Sequence, residues 1–192
     1  MDTQYLAIYQ QKFLVKGKLQ EVVQEVKARE QELGFAIEPI VIEVENCQRI
    51  DFSWHGNTQQ VLANLPNAQP KQQAKRGRPK LGVKSKEVTL LPRHWEWLAS
   101  QRGGASATLR RLVEEAQKNP SIEQQILLKQ QQLDKFMLLF LADEQGYEEA
   151  SRALYRNSRV GLESAIVTWP REIKDFVLDK FVEIAVLHNG AA

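Results

Sequence analysis

Lys71-Gln-Gln-Ala-Lys75-Arg76-Gly77-Arg78-Pro79-Lys80-Leu-Gly-Val-Lys84-Ser-Lys86 runs directly into Glu87-Val88-Thr89-Leu90-Leu91-Pro92, and the reading of this junction decides how the chain is divided. The first part holds seven Lys or Arg and no Asp or Glu, a composition suited to contact with a polyanion. The second part is a short extended run. Pro92 then begins a helix, Arg93 to Gln101, since proline at the first helical position gives up an N–H that would have no intrahelical partner. Gly103-Gly104 breaks that helix, and a second is expected to start near Ser106, a residue suited to cap it. The order is arm, strand, helix, helix.

Outward from this junction the charge changes sign. Residues 1–70 carry 6 basic and 9 acidic side chains, residues 71–111 carry 11 and 2, and residues 112–192 carry 9 and 13. The net charge of +2 on 192 residues therefore conceals a cationic centre of +9 between flanks of −3 and −4. Such a distribution marks an electrostatic footprint in the middle of the chain. A hydrophobic content of 43% with 26% charged residues is ordinary for a globular protein.

Toward the N-terminus, Tyr5-Leu-Ala-Ile-Tyr9 and Lys12-Phe-Leu-Val15 read as two strands joined tightly at Gln10-Gln11 and ended by Gly17. Leu19, Val22, Val23, Val26 and Leu33 recur at helical spacing, which predicts a helix over Lys18 to Leu33 stopped by Gly34. A second strand pair, Ile40 to Val44 and Arg49 to Trp54, turns at Glu45-Asn46, and Thr58 to Leu65 reads as a short helix closed by Pro66. The result is a ββαββα module, with Trp54 at the edge of its core and His55 on its surface. Asn67 to Ser85, rich in Pro, Gln, Lys and Gly, reads as a linker.

Toward the C-terminus, Asn119-Pro120 interrupts the chain. Ile122 to Asp143 is expected to be helical, with Ile126, Leu127, Leu133, Phe136, Met137, Phe140 and Leu141 on a broad apolar face. Further helices follow over Tyr147 to Arg156 and over Val160 to Trp169, the latter capped by Ser158, with a last one after Pro170 along Ile173, Phe176, Val177, Phe181 and Ile184. The fold class expected is α+β, in four parts. These are a small α/β module (1–66), a basic flexible arm (67–85), a strand-helix-helix segment (86–118) and an α-helical bundle (119–192).

Catalytic chemistry has little to stand on. His55, His94 and His188 fall in different elements with no metal-ligand spacing, and no glycine-rich phosphate loop follows a strand. Glu114-Glu115 and Glu148-Glu149 read as solvated helix faces. Cys47 is the only cysteine, which excludes an internal disulfide and a cysteine-based metal site. The apolar run Phe136 to Ala142 is far shorter than the roughly 20 residues of a membrane helix, and the N-terminus lacks the pattern of a secretory leader. No enzyme activity, cofactor or metal is expected, and the location expected is cytoplasmic and nucleoid-associated.

Arg76-Gly77-Arg78-Pro79 resembles an AT-hook, the peptide that lies along the minor groove of A·T-rich DNA. Its residue types fit that groove, whose floor offers acceptors only and whose narrow walls concentrate negative potential that draws in Arg. Gly77 allows close approach and Pro79 keeps the chain extended. Lys75 and Lys80 would reach phosphates, and Lys84 and Lys86 further along are also expected to bind DNA. The plainer alternative is a solvated basic linker.

Val88-Thr89-Leu90-Leu91-Pro92, Trp95, Leu98, Gly103-Gly104, Ser106-Ala107-Thr108 and Leu109-Arg110-Arg111-Leu112-Val113 resemble the ribbon-helix-helix family of bacterial repressors. The resemblance implies a homodimer whose two strands pair into one antiparallel ribbon, which suits a unit too small to bury a core alone. It also implies DNA contacts from the ribbon, from Ser106, Ala107 and Thr108 at the helix start, and from Arg110. If Pro92 matches the family's proline, Lys86, Val88 and Leu90 face the groove; the opposite parity exposes Thr89 and buries Val88 and Leu90. The whole order of elements is similar to a family of uncharacterised bacterial proteins known as a domain of unknown function.

The function expected is a homodimeric DNA-binding protein and transcriptional regulator, acting on A·T-rich duplex DNA. The alternative is an antitoxin-like interaction module whose helical tail binds a polypeptide, and RNA binding is a third reading.

Overall fold

A computed structural model describes residues 2–66, 84 and 86–190. The chain is mixed α and β, with a four-stranded antiparallel sheet near the N-terminus and, among the described residues, eight helices. It divides into two compact units, Met1–Pro70 with Gln125–Ala192 and, separately, Lys71–Gln124.

In the first unit, β1 (Tyr5–Tyr9) and β2 (Lys12–Gly17) form the hairpin, and β3 (Ile40–Glu43) and β4 (Arg49–Ile50) follow the helix α1 (Leu19–Leu33). The sheet order is β2-β1-β3-β4, so β1 lies inside the sheet. Gln10 and Gln11 both take positive φ, 49° and 59°, as the hairpin's twist demands of a two-residue turn. The Gln11 side-chain amide then donates to the Phe140 carbonyl oxygen and to a Glu144 carboxylate oxygen, each at 3.2 Å, which ties the turn to a helix more than a hundred residues away.

The two faces of the sheet belong to different cores. Ala7 and Val41 point into a cluster with Leu19, Val22, Val23 and Val26 of α1, closed by Val61 of the short helix α2 (Thr58–Ala63). Leu6, Ile8 and Ile42 point the other way, into a larger cluster supplied by the last third of the chain. That third forms α5 (Ile122–Leu141), α6 (Tyr147–Tyr155), α7 (Arg159–Ala165) and α8 (Arg171–Asn189). The N-terminal module and the C-terminal helices, which the sequence reading treats as separate parts, thus share one apolar core across the sheet. The unbroken run Leu6-Ala7-Ile8, buried on both sides, is the mark of a strand covered on both faces.

Polar clamps fix these layers. Buried Lys27 donates to Glu30 at 2.7 Å and to the Trp54 carbonyl oxygen at 2.7 Å, while Glu30 accepts from the Ile37 amide at 2.9 Å. Trp54 is buried and donates its indole N–H to the Pro39 carbonyl oxygen at 3.1 Å. This turning-in of Trp54 explains why β4 ends at Ile50 and does not run to Trp54 as the sequence suggests. Gln130 on α5 donates to the Leu154 carbonyl oxygen at 3.1 Å, joining α5 to α6. Ser158 caps α7 by accepting from the Gly161 amide at 3.2 Å, but α7 stops at Ala165, short of the expected Trp169. Trp169 is buried and donates to the Gln145 carbonyl oxygen at 3.0 Å, so its indole serves the packing of the connection into α8.

The second unit holds α3 (Pro92–Ser100) and α4 (Gly104–Lys118), packed against each other. Pro92 occupies the first turn of α3 as its chemistry predicts. Gly103 and Gly104 have φ of 92° and 73°, left-handed values that explain the glycine pair between the helices.

Candidate nucleic-acid interface

The residues proposed to touch DNA fall into three groups. Lys75, Arg76, Gly77, Arg78, Pro79 and Lys80 lie outside the described residues. Lys84, Lys86, Val88 and Thr89 are exposed and Leu90 is half-buried. Among the described residues the stretch Lys86 to Leu91 has no strand partner, although Leu91 is extended, with φ −66° and ψ 149°. Burial along the stretch does not alternate, so the single chain seals neither of the two strand faces considered above.

The helix start differs from expectation. The cap of α4 is Gly103, and α4 begins two residues before Ser106, which therefore sits exposed within the first turn with no capping role. A Gly at the cap in place of Ser leaves the first-turn amides without a side-chain acceptor. Ala107 is half-buried, Arg110 is exposed, and Thr108 is only 2% exposed. Thr108 is therefore a packing residue in the single chain.

Cations are nonetheless available. Lys84, Lys86, Arg93, Arg102 and Arg110 are exposed and form no ion pair among the described residues, whereas Arg111 is engaged with Glu115 at 3.2 Å. Arg93, in the first turn of α3, and Arg102, just past its end, are not among the contact residues expected from the sequence; the local charge count was the signal that contained them. His55, between β4 and α2, and His94, in α3, are exposed, and His188, in α8, is half-buried. Among the described residues no helix is long and apolar enough to cross a membrane.

The apolar side chains of this unit are its second feature. Leu98 and Thr108 are its buried residues among those described. Val88, Leu91, Trp95, Trp97, Leu112 and Val113 remain between 38% and 54% exposed. Two amphipathic helices and an extended segment thus present large apolar groups beside exposed cations.

The profile of the DUF2239 family, described as an uncharacterized protein conserved in bacteria, matches residues 4–180. The chain belongs to this family. The DUF2239 match crosses both compact units, so the sheet, the cationic junction and most of the C-terminal helices are all parts of the family's own architecture. No curated protein and no solved structure matches the chain.

Proposed function

We propose that this member of DUF2239 is a homodimeric DNA-binding protein that regulates transcription. The observation that carries the reading is the unburied apolar surface of the second unit, which lies in the most cationic part of the sequence. A unit of about fifty residues that buries so little is short of a core, and a second copy laid on Val88, Leu91 and the α3–α4 faces would supply one. Pairing of the two Lys86–Leu91 segments would place ten or so exposed cations on one duplex-facing assembly. The Arg76-Gly77-Arg78-Pro79 arm would add minor-groove contacts in A·T-rich DNA, and Lys75, Lys80 and Lys84 would bind phosphates.

Gel shifts over a range of salt, with A·T-rich and G·C-rich duplexes, test this. The expected result is salt-dependent retardation, stronger for the A·T-rich duplex, with that preference lost in the Arg76→Ala/Arg78→Ala variant. Equal retardation of both duplexes by the parent and the variant would count against the arm, and a monomer at every concentration in sedimentation would count against the dimer.

A second reading has its own support. Leu127 and Leu128 on α5, with Leu138 and Leu139 about three turns further on, form an exposed apolar face on the helical part of the first unit. Such a face favours an antitoxin-like role in which the C-terminal helices hold a polypeptide. Under that reading the Arg76 and Arg78 replacements leave function unchanged, while Leu128→Glu/Leu139→Glu abolishes it.

A further inference from the structure

In the first unit an open cavity of about 440 Å³ lies between the outer strand β2 and the first half of α8, a volume in the range of small-ligand sites. Leu6 and Val44 contribute to its apolar surface from the sheet, Phe13 and Val15 from β2, and Phe176 from α8. The rings of Phe13 and Phe176 meet edge to face, 6.1 Å between centroids at 84°. The cavity is therefore an open recess with an aromatic and aliphatic floor.

Its rim carries the opposite character. Glu172, Asp175 and Asp179 line it from α8, at spacings that keep them on one side of the helix, with Lys16 the cation among the lining residues and the Lys180 ammonium 5.9 Å from the centroid of the Phe176 ring. Glu172 accepts from the Phe13 amide at 2.8 Å, which holds a carboxylate beside the ring. Asp175 stands 3.7 Å from exposed Arg171, and Asp179 forms no ion pair among the described residues. The carboxylates are spread along the rim: among the described residues no group of three or more His, Cys, Asp or Glu is gathered closely enough to hold a metal ion.

A ligand that fits both features needs an apolar body and a positive charge. We propose that this cavity binds a lipophilic organic cation of the alkylammonium or arylammonium class, its apolar part against Phe13, Phe176, Leu6 and Val44 and its ammonium among Glu172, Asp175 and Asp179. Aromatic faces attract such a cation directly, and burial of its hydrocarbon provides affinity that exposed carboxylates alone would not. The inference uses the first unit only and rests on no part of the DNA-binding reading.

Calorimetric titration of the full chain with phenethylammonium chloride tests it, beside the neutral near-isostere 2-phenylethanol. Saturable binding of the cation is expected, weakened roughly tenfold both for the alcohol and in the Asp175→Asn/Asp179→Asn variant. Lys16→Ser, a change at an exposed position, is expected to tighten binding by removing the opposing charge. Absence of saturable binding, equal affinity for the alcohol, or unchanged affinity in the Asp175→Asn/Asp179→Asn variant would each overturn the proposal.

Discussion

In the unit built from Met1–Pro70 and Gln125–Ala192, Phe136, Met137, Leu154, Ile173 and Phe181 are enclosed almost completely, whereas the unit Lys71–Gln124 leaves two tryptophans half in solvent. Both are made from amphipathic helices with clear apolar stripes. The difference is what each stripe meets. The C-terminal helices are laid against a sheet that offers a second apolar face, while α3 and α4 have chiefly each other. An amphipathic stripe is thus a demand for cover, and the fold of one chain satisfies that demand in the first unit alone.

The contrast can be broken most directly at the enclosed side. Phe136→Ala is expected to destabilise the first unit by about 3–5 kcal/mol, read by urea unfolding, since the ring packs on Phe140 and Phe176 and leaves a cavity. A cost near zero would mean that this core is not cooperative. Gly146→Ala should follow, at about 2–4 kcal/mol, because Gly146 has φ 89° and an added Cβ would overlap the carbonyl oxygen of Ala165.

Enclosure also has a pH signature. Burial pushes the Cys47 thiol up to about 11, with nearby Lys180 opposing the rise. Its folded pKa lies above its unfolded value, so the stability it contributes is complete below the ordinary thiol range and is lost as pH rises toward about 11. The difference in unfolding free energy between the parent and Cys47→Val should therefore shrink across that alkaline window, and the thiol should label slowly at neutral pH. A constant difference would show that the thiol is open to water.

The open side should respond least. Val113→Ser in α4, at a position 54% exposed, is expected to change the stability of the isolated chain by no more than about 0.5 kcal/mol. Its effect belongs in association: the dependence of apparent melting temperature on protein concentration, expected of the parent under the proposed dimerisation, should vanish in the variant. A large loss of stability at low concentration would place Val113 in a core of the single chain and remove the contrast.

Much of the local structure was legible in the residues. The hairpin at Gln10-Gln11, the stop at Gly34, the start at Pro92 and the Gly103-Gly104 break all follow from backbone preferences that act over a few positions. Ser106 misled because a serine near a helix start is a good cap wherever the helix begins, and the glycine pair moved that beginning upstream. The burial of Thr108 was not legible for another reason: a threonine on an amphipathic helix reads as surface or packing with equal ease. For the candidate interface, the cationic block was visible as a charge count, while the exposed tryptophans became informative only once their burial was known.

The amino-acid order by itself determined the N-terminal hairpin, the positions of most helices, the glycine and proline breaks and the concentration of positive charge, since each depends on side chains within a turn or two of one another. Tertiary structure decided that the first and last thirds of the chain share a core on one face of the sheet, that Thr108 is enclosed, and that Phe13 meets Phe176 edge to face beside an acid-rimmed cavity. Periodicity tells which side of an element is apolar; only the packing of distant segments tells what will cover it.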